Sequence, residues 1–266
     1  MVSTRKLLNG LPICVLLVTT VFILLAPIGI PLLVAFSESP VISFPPKGFT
    51  LKWFYNALSF KSLTDGFMYS LKIASMASLI ALLLTLPASY ALYRYNFNGK
   101  RLIETLFLMP TTIPEIVLSY MLLMYLVKTL GIKSFQALLM GHILILIPYS
   151  MRYVYASLVN IGHEIEDAAV SLGASRLRAF FDIIIPNIKT GVVAGIVISF
   201  ITSFNAFSIS LFLSYGETMP LPIAMWNYLQ VRYDPTIAAV SLILVLFSLS
   251  FVLAVRRILG VKVLRS

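Results

Sequence analysis

Long apolar runs alternate with short polar segments along the chain. Runs of about 20 residues match helices that cross a hydrocarbon core about 30 Å thick. Six such runs occur, near residues 11–35, 67–93, 103–127, 135–158, 191–213 and 236–256. The pattern predicts an all-α integral membrane protein with six transmembrane helices in a single transmembrane domain, residues 1–266.

Composition and charge agree with a membrane protein. The chain is 59% hydrophobic and only 11% charged, with a formal net charge of +10. In a soluble protein that charge would suggest nucleic-acid binding. Here the larger share of the 20 lysines and arginines falls in segments that a cytoplasmic N-terminus would place inside. The positive-inside rule therefore predicts cytoplasmic N- and C-termini, contact with membrane lipid and no nucleic-acid partner.

The N-terminal run is predicted to be the first span rather than a cleaved signal peptide. Arg5 and Lys6 precede the apolar residues, but the run continues through Pro27 and Pro31 without an A-x-A site. Cys14 is the only cysteine, which excludes an intramolecular disulfide and a cysteine-based metal cage. No metal site is expected.

Two outer segments carry aromatic residues that suit helices lying at the membrane interface. Trp53 follows Pro45, Pro46 and Gly48 in the first, and Trp226 lies in the second. Anchoring in the interface is the simpler interpretation, and a docking surface is the alternative.

One polar interruption, IEDAAVSLGASRLRAFFDIIIPN (165–187), lies between the fourth and fifth spans. Helical spacing places four apolar residues on one face of its first helix: Ile165, Ala168, Ala169 and Leu172. Gly173 is expected to end that helix and Ser175 to cap a second one, in which Phe180 and Phe181 offer apolar area. The predicted topology makes this helix–turn–helix unit cytoplasmic. It either packs under the spans of this chain or docks a separate subunit.

The same segment carries a family motif. The spacing D-A-A-x3-G-x9-I-x-I-P, from Asp167 to Pro186, resembles the EAA loop (E-A-A-x3-G-x9-I-x-L-P) of permease subunits in bacterial binding-protein-dependent ABC importers. Asp167 stands where that motif has Glu, and Ile185 where it has Leu. The stretches SLKIASMASLIALLLTLPASYALYRYNFNGKR and LPIAMWNYLQVRYDPTIAAVS extend the resemblance, which is nearest to the second permease of spermidine/putrescine-type transporters.

The resemblance implies a type I ABC importer permease fold with a cytoplasmic coupling helix in loop 160–187. It implies a bacterial inner-membrane location, a second permease subunit (a heterodimer), two ATPase subunits and an extracytoplasmic solute-binding protein. The residues expected to couple to the ATPases are Glu166, Asp167, Ala168, Ala169, Gly173, Ala174, Ile183 and Pro186.

The chain itself lacks a G-x-x-x-x-G-K-[ST] phosphate-binding loop. It is therefore expected to be a transport subunit rather than an enzyme, with no catalytic residues and no cofactor of its own. ATP and Mg²⁺ are expected in the partner ATPase subunits.

Four residues are candidates for lining a solute pathway. Glu115 follows Pro110 and Pro114 in the third span, where the prolines disturb the helix and a carboxylate is costly to bury. Ser203 and Asn205 place polar groups in the fifth span, and His142 lies in the fourth. The alternative for each is helix packing or hydrogen bonding within the bundle. A carboxylate on the pathway favours a cationic solute, and the resemblance to spermidine/putrescine-type permeases implies a small amine-type solute: a polyamine, an opine or another amino compound.

Three other classes compete with the importer permease. An ion-coupled secondary transporter would show inverted repeats and a channel would show a pore motif, and neither pattern is evident. A structural scaffold would leave the polar cytoplasmic loop without a task.

Overall fold

The computed structural model describes residues 2–41, 45–216 and 219–258, although several side chains in the first helix, including Arg5, Lys6 and Pro27, lie outside the description. The described part of the chain consists of helices and connecting turns, with no strand. The helices are α1 (Val2–Val34), α2 (Lys52–Ser59), α3 (Lys61–Arg94), α4 (Lys100–Leu108), α5 (Glu115–Leu122), α6 (Ser134–Ile161), α7 (Glu164–Ser171), α8 (Arg176–Ala179), α9 (Ile185–Phe204), α10 (Phe207–Leu213), α11 (Leu221–Val231) and α12 (Thr236–Ile258). The predicted all-α class is confirmed.

Within the described residues, four helical segments are long and apolar enough to cross a membrane: Lys61–Arg94, Ser134–Ile161, Arg176–Phe204 and Thr236–Val255. A fifth span results if the bent pair Lys100–Thr111 and Glu115–Thr129 is counted as one. The apolar helical stretch Cys14–Ala26 within α1 is shorter than these. The count of six therefore stays a prediction.

Two of the predicted spans are interrupted. The run 103–127 is not one straight helix, because its two parts meet at an angle of 98° between Thr111 and Glu115. Pro114 precedes the first residue of α5, where its missing N–H costs no helical hydrogen bond. The run 191–213 divides between α9 and α10 at Asn205 and Ala206.

The chain forms two compact units. The first comprises the described residues up to Lys61 together with Asn227–Phe247. Its core contains Ala35, Trp53 and Ala239. Trp53 is buried and its indole N–H donates to the carbonyl of Ser37 at 2.6 Å, so the predicted interfacial anchor is instead a packed core residue. Tyr228 is buried in the same unit, and its hydroxyl bonds the carboxylate of Asp234.

The second unit comprises Ser62–Trp226 together with the described residues from Ser248 onward. Its core combines residues of α3, α5, α6 and α10, including Ile73, Leu138 and Ile209. The close packing of α6 against α9 depends on two glycines of α9. A Cβ on Gly191 would lie 2.6 Å from the carbonyl oxygen of Tyr153, and a Cβ on Gly195 would lie 3.4 Å from that of Ser150. Small residues four apart allow helix backbones to approach closely in a membrane.

Gly191→Ala should destabilise the second unit, because the added methyl group forces α6 and α9 apart. The expected cost is about 1–3 kcal/mol, typical of overpacking a core. The measurement is the apparent melting temperature of the purified chain in detergent. Gly29→Ala is the matched control, since a Cβ at Gly29 of α1 meets nothing within 4 Å. Equal melting temperatures for the two variants would contradict the packing role of Gly191.

Candidate coupling segment and pathway residues

The polar interruption, residues 165–187, is called here the coupling segment. It folds as two short helices between the ends of α6 and α9. At the end of α7, the N–H of Gly173 donates to the carbonyl of Val170 and the N–H of Ala174 to that of Ala169, the paired bonds of a Schellman motif. Gly173 has φ +94°, a conformation that L side chains disfavour. The hydroxyl of Ser175 accepts from the N–H of Arg178 and caps α8. The predicted helix end at Gly173 and cap at Ser175 are both confirmed.

The apolar face predicted for α7 is exposed at three of its four positions. Ile165, Ala168 and Leu172 are exposed, Leu172 to 90%, whereas Ala169 is buried. Beside Ala169 on the buried side lies Glu166, which is fully buried. The sequence left open whether the apolar face packs under the spans or docks a partner, and it did not indicate the burial of Glu166, which belongs to an ion pair.

That ion pair joins α7 to the last turn of α3. Tyr90 donates its hydroxyl to Oε1 of Glu166 at 2.7 Å, and Nε of Arg94 lies 3.6 Å from the same oxygen. Arg94 also forms an ion pair with Asp167 and lies 3.3 Å from Nδ1 of His163. From the sequence alone, Arg94 is one of the basic residues in the segments that the positive-inside rule places in the cytoplasm. Its contacts span about 70 residues of chain, so no local pattern indicates them.

The hydrogen bond from Arg94 holds the pKa of the Asp167 carboxyl below its ordinary value. Because the folded-state pKa is lowered, the pair contributes fully above the ordinary aspartate pKa and is lost as the pH falls through the lowered one. The ion pair is therefore complete at neutral pH.

The exposed surface of the segment carries both apolar and charged side chains. Its exposed large apolar side chains are Ile165, Leu172, Leu177 and Phe181, called here the outward patch. Exposed charged side chains, among them Arg178 and Asp182, lie in the same segment. Phe180, predicted to offer apolar area with Phe181, is half-buried, and its ring meets that of Tyr90 at a centroid distance of 4.7 Å. The other predicted coupling residues vary in exposure: Ala168 and Pro186 are exposed, and Ala174 and Ile183 are half-buried.

The candidate pathway residues do not form one cluster. Glu115 is the first residue of α5, is exposed, and has no ion-pair partner among the described residues. The positive end of the α5 dipole favours a carboxylate there. Asn205 is exposed at the end of α9, where its amide donates to the carbonyl of Ile201 at 2.9 Å.

His142 and Ser203 form a buried pair. Nδ1 of His142 lies 2.7 Å from Oγ of Ser203, and both side chains are almost completely buried. Within the described part of the chain, Nε2 of His142 has no hydrogen-bond partner. The contact joins α6 to α9, as expected for the packing alternative, and the pathway role of both residues stays a prediction. Among the described residues, no group of three or more His, Cys, Asp or Glu is placed to hold a metal ion.

Known proteins resemble this chain in sequence. Residues 81–260 match the family model described as the inner membrane component of binding-protein-dependent transport systems. The chain is 32% identical over 209 residues to the spermidine/putrescine transport system permease protein PotC of Escherichia coli (strain K12), which covers 78% of this chain and 79% of that protein. The chain therefore belongs to this family of inner-membrane transport components.

Other relatives differ in the solute that they are named for. The molybdenum transport system permease protein ModB of Haemophilus influenzae is 33% identical over 177 residues, covering 60% of this chain and 77% of that protein. Membership of the family makes the chain a permease of a binding-protein-dependent ABC importer, a multi-pass inner-membrane transport subunit rather than an enzyme. The secondary-transporter and scaffold hypotheses are thereby set aside.

Solved structures agree on the fold. A bacterial alginate ABC transporter in complex with an alginate pentasaccharide-bound periplasmic protein matches with a TM-score of 0.73 at 16% identity, covering 98% of both chains. The MetNI methionine ABC transporter in an inward-facing conformation matches with a TM-score of 0.65 at 19% identity, covering 74% of this chain and 94% of that one. The type I importer permease fold is confirmed.

Ser203→Ala should destabilise the chain, because it leaves Nδ1 of the buried His142 without a partner. The expected cost is about 1–3 kcal/mol, the penalty for an unsatisfied buried polar group. Thermal unfolding of the purified chain measures it. Ser210→Ala is the control: Ser210 is equally buried but bonds only the carbonyl of Ala206 in its own helix. A loss no larger than that of the control would mean that the His142–Ser203 contact does not hold α6 to α9.

Proposed function

We propose that this chain forms, with a second permease subunit, the membrane pathway of an importer for a small amine-type solute, a polyamine, an opine or another amino compound. An extracytoplasmic binding protein delivers the solute, and ATP hydrolysis in two partner ATPase subunits drives its passage. The observation that carries the proposal is the outward patch on α7 and α8, four exposed apolar side chains on a segment whose other face is anchored.

The outward patch suits a protein partner. Exposed clusters of large apolar side chains on a polar loop mark interaction sites, because water leaves such surfaces when a partner covers them. Leu172 is the most exposed of the four at 90%, and Phe181, at 60%, adds an aromatic ring. An ATPase subunit that docks there would act on α7 and, through its ends, on α6 and α9.

Docking of the ATPases from the cytoplasm supports the predicted topology. The segment α7–α8 and the end of α3 at Arg94 meet on one side of the spans, so both would be cytoplasmic. Cytoplasmic N- and C-termini follow from the same assignment.

Glu115 supports an amine-type solute. Its carboxylate is exposed at the start of α5, beside the 98° bend, where it offers a counter-charge to a cation. The relative named for spermidine and putrescine is consistent with such a solute. The relatives named for molybdenum make an anion the competing candidate.

Gly173→Val should uncouple transport from ATP hydrolysis. A Cβ at Gly173 meets nothing within 4 Å, so the effect comes from backbone strain at φ +94° rather than from crowding. The expected local cost is about 1–2 kcal/mol, enough to release the Schellman motif that orients α8. The measurements are co-purification of the ATPase with the membrane complex and solute-stimulated ATP hydrolysis.

Gly173→Asn is the matched variant, because asparagine tolerates positive φ better than other residues with a side chain. It should retain more stimulated hydrolysis than the valine variant. Undiminished co-purification and stimulation in Gly173→Val would remove the coupling role of this turn.

Glu115→Gln should lower amine uptake severalfold in an assembled complex, since the amide keeps the shape of the side chain but removes its charge. Uptake of radiolabelled putrescine into proteoliposomes is the measurement. Glu104→Gln is the control, because Glu104 belongs to α4, away from the bend. Full uptake by Glu115→Gln in an intact complex would remove the sequence argument for a cationic solute, and stimulation of the wild-type ATPase by molybdate instead would support the anion.

A further inference from the structure

The last turn of α3 presents three side chains to the coupling segment. Tyr90, Tyr93 and Arg94 have the i, i+3, i+4 spacing that places residues on one helical face. The ring of Tyr93 stacks on that of His163 at a centroid distance of 4.2 Å, with 11° between the planes. Together with the bonds from Tyr90 and Arg94 to α7, these contacts hold one end of α7 against one end of a transmembrane helix.

Arg94 is the centre of this contact. Its guanidinium lies between two carboxylates of α7, one fully buried on Glu166 and one about half exposed on Asp167. An exposed ion pair alone contributes little. The contact between Arg94 and the buried Glu166 carboxylate matters more, because a buried charge that loses its partner is strongly unfavourable. Loss of Arg94 would therefore leave Glu166 buried without its cation, whereas the half-exposed Asp167 would be met by water.

The far end of α3 is also fixed. Ser70 accepts a hydrogen bond from the N–H of Leu221 at 2.8 Å. Gly66 allows a close approach, since a Cβ there would lie 3.0 Å from the Ala224 side chain and 3.2 Å from the Leu221 backbone. Both contacts join α3 to the start of α11. At 34 residues, α3 is about 50 Å long, so it connects the coupling segment with the opposite side of the membrane.

We propose that Arg94 is a positioning residue that clamps α7 to α3, so that movement of the coupling segment displaces α3 as well as α6 and α9. Displacement of α3 then carries the start of α11, at Leu221, with it. The inference rests on the proposed coupling role of α7 and adds a route of transmission that does not follow the chain. α6 and α9 adjoin the coupling segment in sequence, whereas α3 receives the movement only through side chains.

The clamp predicts a specific defect. Without Arg94, the ATPases still dock on the outward patch, which contains none of the clamp residues, but α3 no longer follows α7. ATP hydrolysis would then continue while less solute is moved. A merely structural defect would instead lower the amount of complex and reduce hydrolysis and uptake in proportion.

The test is the ratio of solute molecules taken up to ATP molecules hydrolysed by the complete importer in proteoliposomes. Putrescine is the solute, or whichever solute stimulates the wild-type ATPase. Arg94→Gln should lower this ratio at least threefold. Arg94→Lys should recover part of it, because it keeps the charge but not the forked geometry that reaches both carboxylates. Arg101→Gln, which removes an exposed charge nearby in the sequence, should leave the ratio unchanged.

A second measurement reports on α7 itself and does not depend on how much complex assembles. Hydrogen exchange of the α7 amides in the purified complex should accelerate in Arg94→Gln and remain as in the wild type in Arg101→Gln. A wild-type ratio of uptake to hydrolysis in Arg94→Gln would overturn the clamp.

The two hypotheses fail differently. If the wild-type chain recruits no ATPase, the proposed function fails. If Gly173→Val uncouples transport while Arg94→Gln does not, only the clamp fails.

Discussion

The close contact between α6 and α9 is the constraint on which the rest of the second unit depends. Gly191 and Gly195 let the two backbones approach, and the buried His142–Ser203 pair joins the same helices further along. The coupling segment connects the ends of these two helices, so their separation fixes how far apart its ends can lie. Two short helices and one glycine turn bridge the distance between the ends of α6 and α9. A longer connection would constrain the position of α7 less.

The orientation of α7 within this connection depends on a charged residue, Glu166. Hydrophobicity alone would turn the apolar face of α7 inward, yet Glu166 is buried and the outward patch is exposed. Tyr90 and Arg94 both contact Oε1 of the Glu166 carboxylate, which offsets part of the cost of burying it, and Oε2 has no hydrogen-bond partner among the described residues. One side of α7 is thus fixed by polar contacts with α3, and the other side exposes apolar side chains. The residues that hold the segment in place are therefore different from those on its exposed surface.

The sequence predicted the features that depend on neighbouring residues. Apolar runs located the four long apolar helices, Gly173 marked a helix end, and Ser175 marked a cap, because each of these signals lies within one stretch of the chain. The bend before Glu115 was indicated by Pro114. The burial of Trp53 and the contacts of Arg94 with α7 depend on segments far apart in the chain, and no local pattern carries that information. The break after α9 at Asn205 was not predicted, because the apolar run continues through that residue to Leu213.

The two sides of α7 differ in how freely their side chains can be substituted. Substitutions at Ile165, Leu172, Leu177 or Phe181 leave the buried carboxylate and its donors in place, so the outward surface can change without refolding the loop. A change at Glu166 or Tyr90, in contrast, disturbs the support beneath that surface. The exposed side of the segment therefore tolerates substitution more readily than the side that packs on α3.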